Sequence, residues 1–209
     1  RRRRPQRFAE VLGQEHLVPR LQSALATGRV AHAYLFCGAR GVGKTTVARI
    51  LARALNCERG PATEPCGECA ACQEAAAGNA PDFWEIDGAS SRGINEIREL
   101  RENVRYLPAH GRYKVYLIDE VHMLTEAAFN ALLKTLEEPP PHVVFILATT
   151  ARERVLGTIR SRCQTYLFRR LDEGVIAREL IRAADAEGEE LSQAGAAIIA
   201  READGSMRD

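Results

Sequence analysis

Gly38-Ala39-Arg40-Gly41-Val42-Gly43-Lys44-Thr45, followed by Thr46, decides the fold of this 209-residue chain. The stretch fits G-x-x-x-x-G-K-[ST] at every fixed position. Glycine at those places lets successive backbone N–H groups turn toward an anion, and a helix that starts beside the lysine adds the positive end of its dipole. Residues Gly38, Ala39, Arg40, Gly41, Val42, Gly43, Lys44, Thr45 and Thr46 are therefore expected to cradle the phosphates of ATP. Lys44 is expected to reach the β and γ phosphates, and the Thr45 hydroxyl to ligate Mg²⁺.

The flanks agree with that reading. Ala33 to Cys37 is a continuous apolar run that predicts a buried strand, and Thr45 to Leu55 carries Val47, Ile50, Leu51 and Leu55 at helical period. Further along, Phe83–Ile86, Val115–Ile118, Val143–Ala148 and Thr165–Phe168 read as strands. Ile94–Val104 reads as a helix with Ile94, Ile97, Leu100 and Val104 on one face, and Glu126–Leu136 as another, stopped by Pro139-Pro140-Pro141. Apolar strands separated by helices predict an α/β fold, a five-stranded parallel sheet covered on both faces. After about Leu171 the chain turns Ala/Glu/Arg-rich without a strand signal. The expected division is residues 1–170 as the nucleotide-binding domain and 171–209 as the start of a small helical lid domain that the end of the chain interrupts.

The strand Val115–Ile118 delivers Asp119 and Glu120 at its C-terminal end, where open α/β sheets bind their ligands. Asp119 is expected to hold Mg²⁺ directly or through water, and Glu120 to polarise an attacking water, a role only a hydrolase needs.

Four of the six cysteines fall within sixteen positions, as Cys57-x8-Cys66-x2-Cys69-x2-Cys72. Four soft ligands suit a tetrahedral, structural Zn²⁺ in an insertion of about residues 57–72. A redox C-x-x-C pair is the competing reading, and an iron–sulfur cluster fits less well because the spacing is not that of a ferredoxin. Composition adds exclusions. A net charge of +1, with 45% hydrophobic and 27% charged residues, describes an ordinary globular protein in which any nucleic-acid contact must come from a local patch. Arg1-Arg2-Arg3-Arg4-Pro5 is not followed by an apolar run, so it does not read as a signal peptide. No segment approaches the ~20 apolar residues of a membrane span. A cytoplasmic protein without membrane contact is expected.

Together these segments resemble the AAA+ ATPases, and more closely the gamma/tau subunits of the bacterial DNA polymerase III clamp loader. The resemblance runs through Arg4-Pro5-x-x-Phe8, Val11-x-Gly13-Gln14-Glu15-His16, His32 to Phe36, the phosphate loop, the cysteine insertion, Ile118 to Leu124, Phe129 to Pro140, Ala148-Thr149-Thr150 and Ser161-Arg162-Cys163. The zinc insertion at this place is its most discriminating part. The resemblance implies that ATP binding and hydrolysis drive loading of a sliding clamp onto primed DNA, with other clamp-loader subunits as partners. It further implies that Arg4 borders the nucleotide and that Thr150 senses the γ-phosphate. By the same resemblance Arg162 is an arginine finger acting on a neighbour's ATP, and Arg208 of Gly205-Ser206-Met207-Arg208 a second sensor. The chain departs from the family at Arg3, where an aromatic is usual, and at Gly157, where a proline normally precedes Thr158.

By the same resemblance Arg92, Arg98 and Lys134 are the expected DNA contacts, although Arg98 shares a helical stripe with Arg101 and Arg105 that Glu99 and Glu102 interleave as on a solvated face. Two other functions compete. One is a nucleotide-gated scaffold of the replisome. The other is a different AAA+ DNA motor, such as a branch-migration helicase or replication initiator, which needs a DNA-reading domain that does not fit this length.

Overall fold

A computed structural model describes residues 4–90 and 94–208, apart from the side chains of 94–96. In chain order the elements are α1 (Val18–Ala26), β1 (Ala33–Cys37), α2 (Lys44–Asn56), α3 (Ala70–Ala77), β2 (Phe83–Asp87), α4 (Ile94–Asn103) and β3 (Lys114–Asp119). They continue with α5 (Glu126–Glu137), β4 (Val143–Thr149), α6 (Gly157–Arg160), β5 (Gln164–Leu167), α7 (Glu173–Asp185) and α8 (Gln193–Glu202). All strand pairs are parallel, in the order β2-β3-β4-β1-β5. That order puts β4 between the strand that feeds the phosphate loop and the strand that ends in Asp119.

Each central strand is buried on both faces, and its alternate side chains serve two cores. Tyr34, Phe36, Val115, Leu117, Val144 and Ile146 join Val47, Ile50, Leu51 and Leu55 of α2 and Leu21 of α1. Leu35, Tyr116, Ile118, Phe145 and Leu147 meet Ile97 and Leu100 of α4 and Phe129 and Leu132 of α5. Leu171, Ile176 of α7 and Ala200 of α8 belong to the first core. An aromatic cluster closes the β5 end of that core, with Phe36 5.8 Å from Tyr166 and 5.1 Å from Phe168.

The predicted strands and helices are all present, with ends differing by one or two residues. Three helices lie outside the expectations, one of them the four-residue α6. Helix α1 places Val18, Leu21 and Leu25 on its buried side, and α3 is a short Ala-rich segment inside the region of the cysteines, ended by Gly78 at φ 79°. Helix α4 stops at Asn103, so Arg105 lies beyond the helix that carries Arg98 and Arg101. Cys163 sits in the bend just before β5.

A single carboxylate organises the approach to β3. Asp82, 4% exposed, accepts the N–H groups of Ala109 (2.6 Å), His110 (2.8 Å) and Gly111 (2.7 Å), while its carbonyl accepts Val115 N. Asn56, the last residue of α2, fixes the same loop by accepting Arg112 N and Tyr113 N and donating to Tyr113 O. Removing the Asp82 carboxylate takes the shared acceptor from three amides of the turn Ala109–Gly111. Asp82→Ala is expected to lower unfolding free energy by about 3 kcal/mol at an unchanged denaturant slope, read from urea titrations.

Candidate functional site

The loop Gly38–Thr45 leaves β1 at the C-terminal edge of the sheet and runs into α2. Its conformation needs its glycines. Gly41 and Gly43 have φ of 76° and 100°, in the region L side chains avoid. At Gly38 a Cβ would lie 2.7 Å from Phe168 O, and at Gly41 one would lie 1.9 Å from Ser206 Oγ. The loop is thus wedged between the end of β5 and the segment after α8. Three hydrogen bonds hold it there: Gly38 N donates to Thr149 O, Met207 N donates to Gly41 O, and the buried Gln14 amide donates to Val42 O. Gln14 also exchanges hydrogen bonds with the Arg169 backbone, in both directions. Arg40 is exposed and Val42 is buried, so the loop faces the core on one side only.

Lys44 opens α2, and its ammonium donates to Gly38 O (2.8 Å) and Ala39 O (2.7 Å) across the mouth of the loop. Burial pushes its pKa below the ordinary lysine value, opposed by the carboxylates of Glu120 and Asp119. The Thr45 hydroxyl donates to Asp119 Oδ2 at 2.8 Å. These two oxygens, brought from α2 and β3, form a hard-oxygen pair of the kind Mg²⁺ takes, beside a loop able to supply phosphate oxygens. The residues fit that ion.

Glu120 follows in a left-handed conformation at φ 46°, an uncommon state for a residue with a side chain. The turn aims its carboxylate across to β4. There Glu120 Oε2 accepts both the hydroxyl (2.9 Å) and the N–H (3.2 Å) of Thr150. His122 Nδ1 lies 3.4 Å from the same oxygen and 2.8 Å from Thr149 Oγ1. Lys44, Thr45, Asp119, Glu120 and Thr150 therefore converge on one edge of the sheet. The sequence reading assigned no role to His122, Gln14 or Ser206. None of them stands out in the sequence: Gln14, for one, lies between Gly13 and the polar pair Glu15-His16.

The remaining expected residues divide. Arg208 stands beside the loop, its Cβ 3.2 Å from where a Gly41 Cβ would be. Arg4 and Thr46 line one cleft, together with Gln6, Arg49, Ile50 and Arg53. Arg162 lies away on the turn after α6, donating to Thr158 O (2.8 Å) and to Glu137 Oε1 (3.0 Å). Arg98 and Lys134 are exposed on α4 and α5, two helices packed against each other. Arg92 lies outside the described residues.

The four cysteines come together. The Sγ atoms of Cys57, Cys66, Cys69 and Cys72 all lie within 4.8 Å of one another, with Cys66 and Cys72 3.9 Å apart. A tetrahedron with Zn–S bonds of about 2.3 Å has edges of about 3.8 Å. The set fits zinc. The N–H groups of Cys69 and Glu68, 3.4 and 3.5 Å from Cys66 Sγ, hold that thiol down to about 6, so thiolate is available at neutral pH. Burial pushes Cys72 the other way, up to about 12, a cost that a bound cation removes. Three arginines tie the module to the domain through its carbonyls: Arg112 to Cys57 O (2.6 Å), Arg53 to Cys72 O (3.0 Å) and Arg7 to Cys66 O (3.4 Å).

Among the described residues no helix is long and apolar enough to cross a membrane. Residues 13–172 match the family described as DNA polymerase III, delta subunit. The chain is 52% identical over 206 residues to a DNA polymerase III subunit tau from Bacillus subtilis, covering 99% of this chain and 37% of the relative. It is 50% identical over 209 residues to subunit tau from Escherichia coli, covering 100% of this chain and 32% of that one. It thus spans about a third of the length of these relatives. Among solved structures, the Thermotoga maritima RuvB Holliday junction branch migration motor superposes with a TM-score of 0.69 at 21% identity, over 98% of this chain and 61% of that one. A DNA polymerase III gamma subunit-related protein from the same organism superposes at 0.54 with 20% identity, over 92% and 58%. The chain shares its fold with both of these proteins. By sequence over nearly its whole length, the chain belongs to the DNA polymerase III subunit family that includes tau and gamma.

Proposed function

We propose that this chain is the ATP-binding and ATP-hydrolysing part of a clamp-loader subunit, working in DNA replication to place a sliding clamp on primed DNA. The observation that carries this reading is the pairing of Thr45 with Asp119 at the mouth of the phosphate loop, with Glu120 fixed one residue further on. A protein that only bound nucleotide would need the loop and the lysine. It would have no use for a carboxylate aimed, by a left-handed turn, beside a polar hydroxyl at the end of the neighbouring strand.

The roles follow from position. The loop amides and Lys44 neutralise the phosphates, and Lys44 exchanges the carbonyls of Gly38 and Ala39 for phosphate oxygens of higher charge. Thr45 and Asp119 would hold Mg²⁺, which would supply charge neutralisation on the phosphates. Glu120 orients a water and accepts its proton. Thr150 sets the direction of the Glu120 carboxylate, which makes it a sensor through which occupancy at the γ position reaches the base. Arg4 and Arg208 approach the nucleotide from opposite ends of the chain, from the cleft beside α2 and from the segment packed on Gly41.

Arg162 serves a neighbouring subunit. Its pair with Glu137 is an exposed one with little net strength, easily exchanged for a phosphate across an interface. Residues 1–170 form the nucleotide-binding domain, and 171–209 begin a lid domain. The cysteine module binds one structural Zn²⁺. Arg98 and Lys134 face the DNA, and a nearby phosphate backbone needs only such charges.

Lys44→Ala is expected to abolish ATP binding measured by equilibrium titration with a fluorescent analogue. Glu120→Gln is expected to leave that binding within about 3-fold of the original while lowering turnover of the assembled complex by about 10²–10⁴-fold. Equal turnover in Glu120→Gln would leave the nucleotide a merely structural role, as in a scaffold. Zinc gives a separate outcome. The purified chain should carry one equivalent of zinc, and chelation should expose four more thiols to a thiol reagent under native conditions.

A further inference from the structure

The residues between Cys57 and Cys66 do more than close a metal loop. Glu64, in that excursion, points its carboxylate at the segment ahead of α1. Its Oε2 accepts Phe8 N at 2.9 Å, and its Oε1 accepts Ala9 N at 3.0 Å and Gln22 Nε2 at 2.9 Å. Phe8 is 1% exposed and anchors that segment in the core. Two residues earlier, Gln6 is gripped from α2. Arg53, 6% exposed, donates to Gln6 O (3.3 Å), to Gln6 Oε1, and through its other terminal nitrogen to Cys72 O. One guanidinium thus bridges the strap and a metal ligand.

The strap leads straight to the nucleotide site. Arg4, Pro5 and Gln6 line a cleft with Thr46 of α2, the residue that follows the phosphate loop, and with Ala75 and Ala76 of the module's own helix α3. Five residues beyond Ala9, Gln14 donates to Val42 O of the loop. Besides the packing of Phe8 in the core and the bonds within the segment, from Gln6 to Arg4 O and from Val11 N to Phe8 O, the hydrogen bonds of Gln6, Phe8 and Ala9 run to Glu10, to Glu64 of the module and to Arg53 of α2.

We propose that the cysteine module positions residues 4–9 at the phosphate loop through Glu64 and Arg53, so that zinc at the four cysteines and ATP at the loop strengthen each other's binding. This rests on the nucleotide reading above. Glu64 and Arg53 touch no substrate and are positioning residues. Linkage makes the effect reciprocal: whatever zinc contributes to ATP affinity, ATP contributes to zinc retention.

The test uses the full chain with the variants Glu64→Ala and Glu64→Gln. Affinity for a fluorescent ATP analogue and zinc release into a chromophoric chelator are both measured. Glu64→Ala should bind the analogue at least about 5-fold more weakly while remaining folded and retaining its zinc. Glu64→Gln, which keeps one acceptor oxygen, should fall between. In the unmodified chain ATP should slow zinc release, and in Glu64→Ala that protection should shrink. Unchanged affinity in a folded Glu64→Ala, or zinc release indifferent to ATP in the unmodified chain, overturns the proposal. If Glu64→Ala fails to fold, Glu64→Gln and the zinc-release measurement decide. An unmodified chain that binds no ATP, with Lys44→Ala no different, overturns the nucleotide reading and this proposal with it.

Discussion

Neutral backbone amides hold a polyphosphate only where the chain turns several N–H groups the same way, and the surrounding structure must then tolerate a loop with almost no side chains on its inner side. Here that constraint is met by wedging. Phe168 comes within van der Waals reach of Gly38, and Ser206 occupies the space a Gly41 side chain would take. Gln14, Thr149 and Met207 supply the hydrogen bonds that keep the loop from relaxing. The rest of the site is arranged around this fixed object. Strand β4 lies between β1 and β3, so Thr150 at its end reaches Glu120, while Asp119 at the end of β3 reaches Thr45.

The fold was largely legible because its strongest signals are local. A five-residue apolar run that ends in Gly38, or an apolar run that ends in Asp119-Glu120, has few other readings. Helix α1 was not legible in the same way: Leu17, Val18, Leu21 and Leu25 give a fair stripe, but Pro19 and a polar surround blur its limits. Helix α3 hid behind the cysteines, since Ala70–Ala77 has hardly any apolar periodicity and forms where the module packs on α2. The convergence of Lys44, Thr45 and Asp119 could be anticipated from strand ends. The left-handed turn at Glu120 could not, because nothing in Asp119-Glu120-Val121 marks it. Nor could the partners of Arg53 and Glu64, which are set by tertiary contacts 47 and 56 residues away in sequence.

The cysteine module shows how an insertion can be accommodated without disturbing a sheet. It leaves after α2 and returns before the edge strand β2, so no ladder is interrupted. Its backbone carbonyls are satisfied from outside, by Arg7, Arg53 and Arg112. A guanidinium suits this better than an ammonium, because its planar fork can serve two acceptors in fixed directions, as Arg112 does with Cys57 O and Glu58 O.

The hydrogen bond from Met207 to Gly41 has a mechanical meaning. Residues 205–208 follow directly on α8, and Leu171 N, just ahead of α7, donates to Gly205 O. The bond at Gly205 therefore clasps the two ends of the helical pair together, and the bond from Met207 ties that clasp to the phosphate loop. A swing of α7 and α8 as a lever, with its long arm out toward Ile198 and Ile199, ends in a tug on the main chain at Gly41, with no side-chain relay in between.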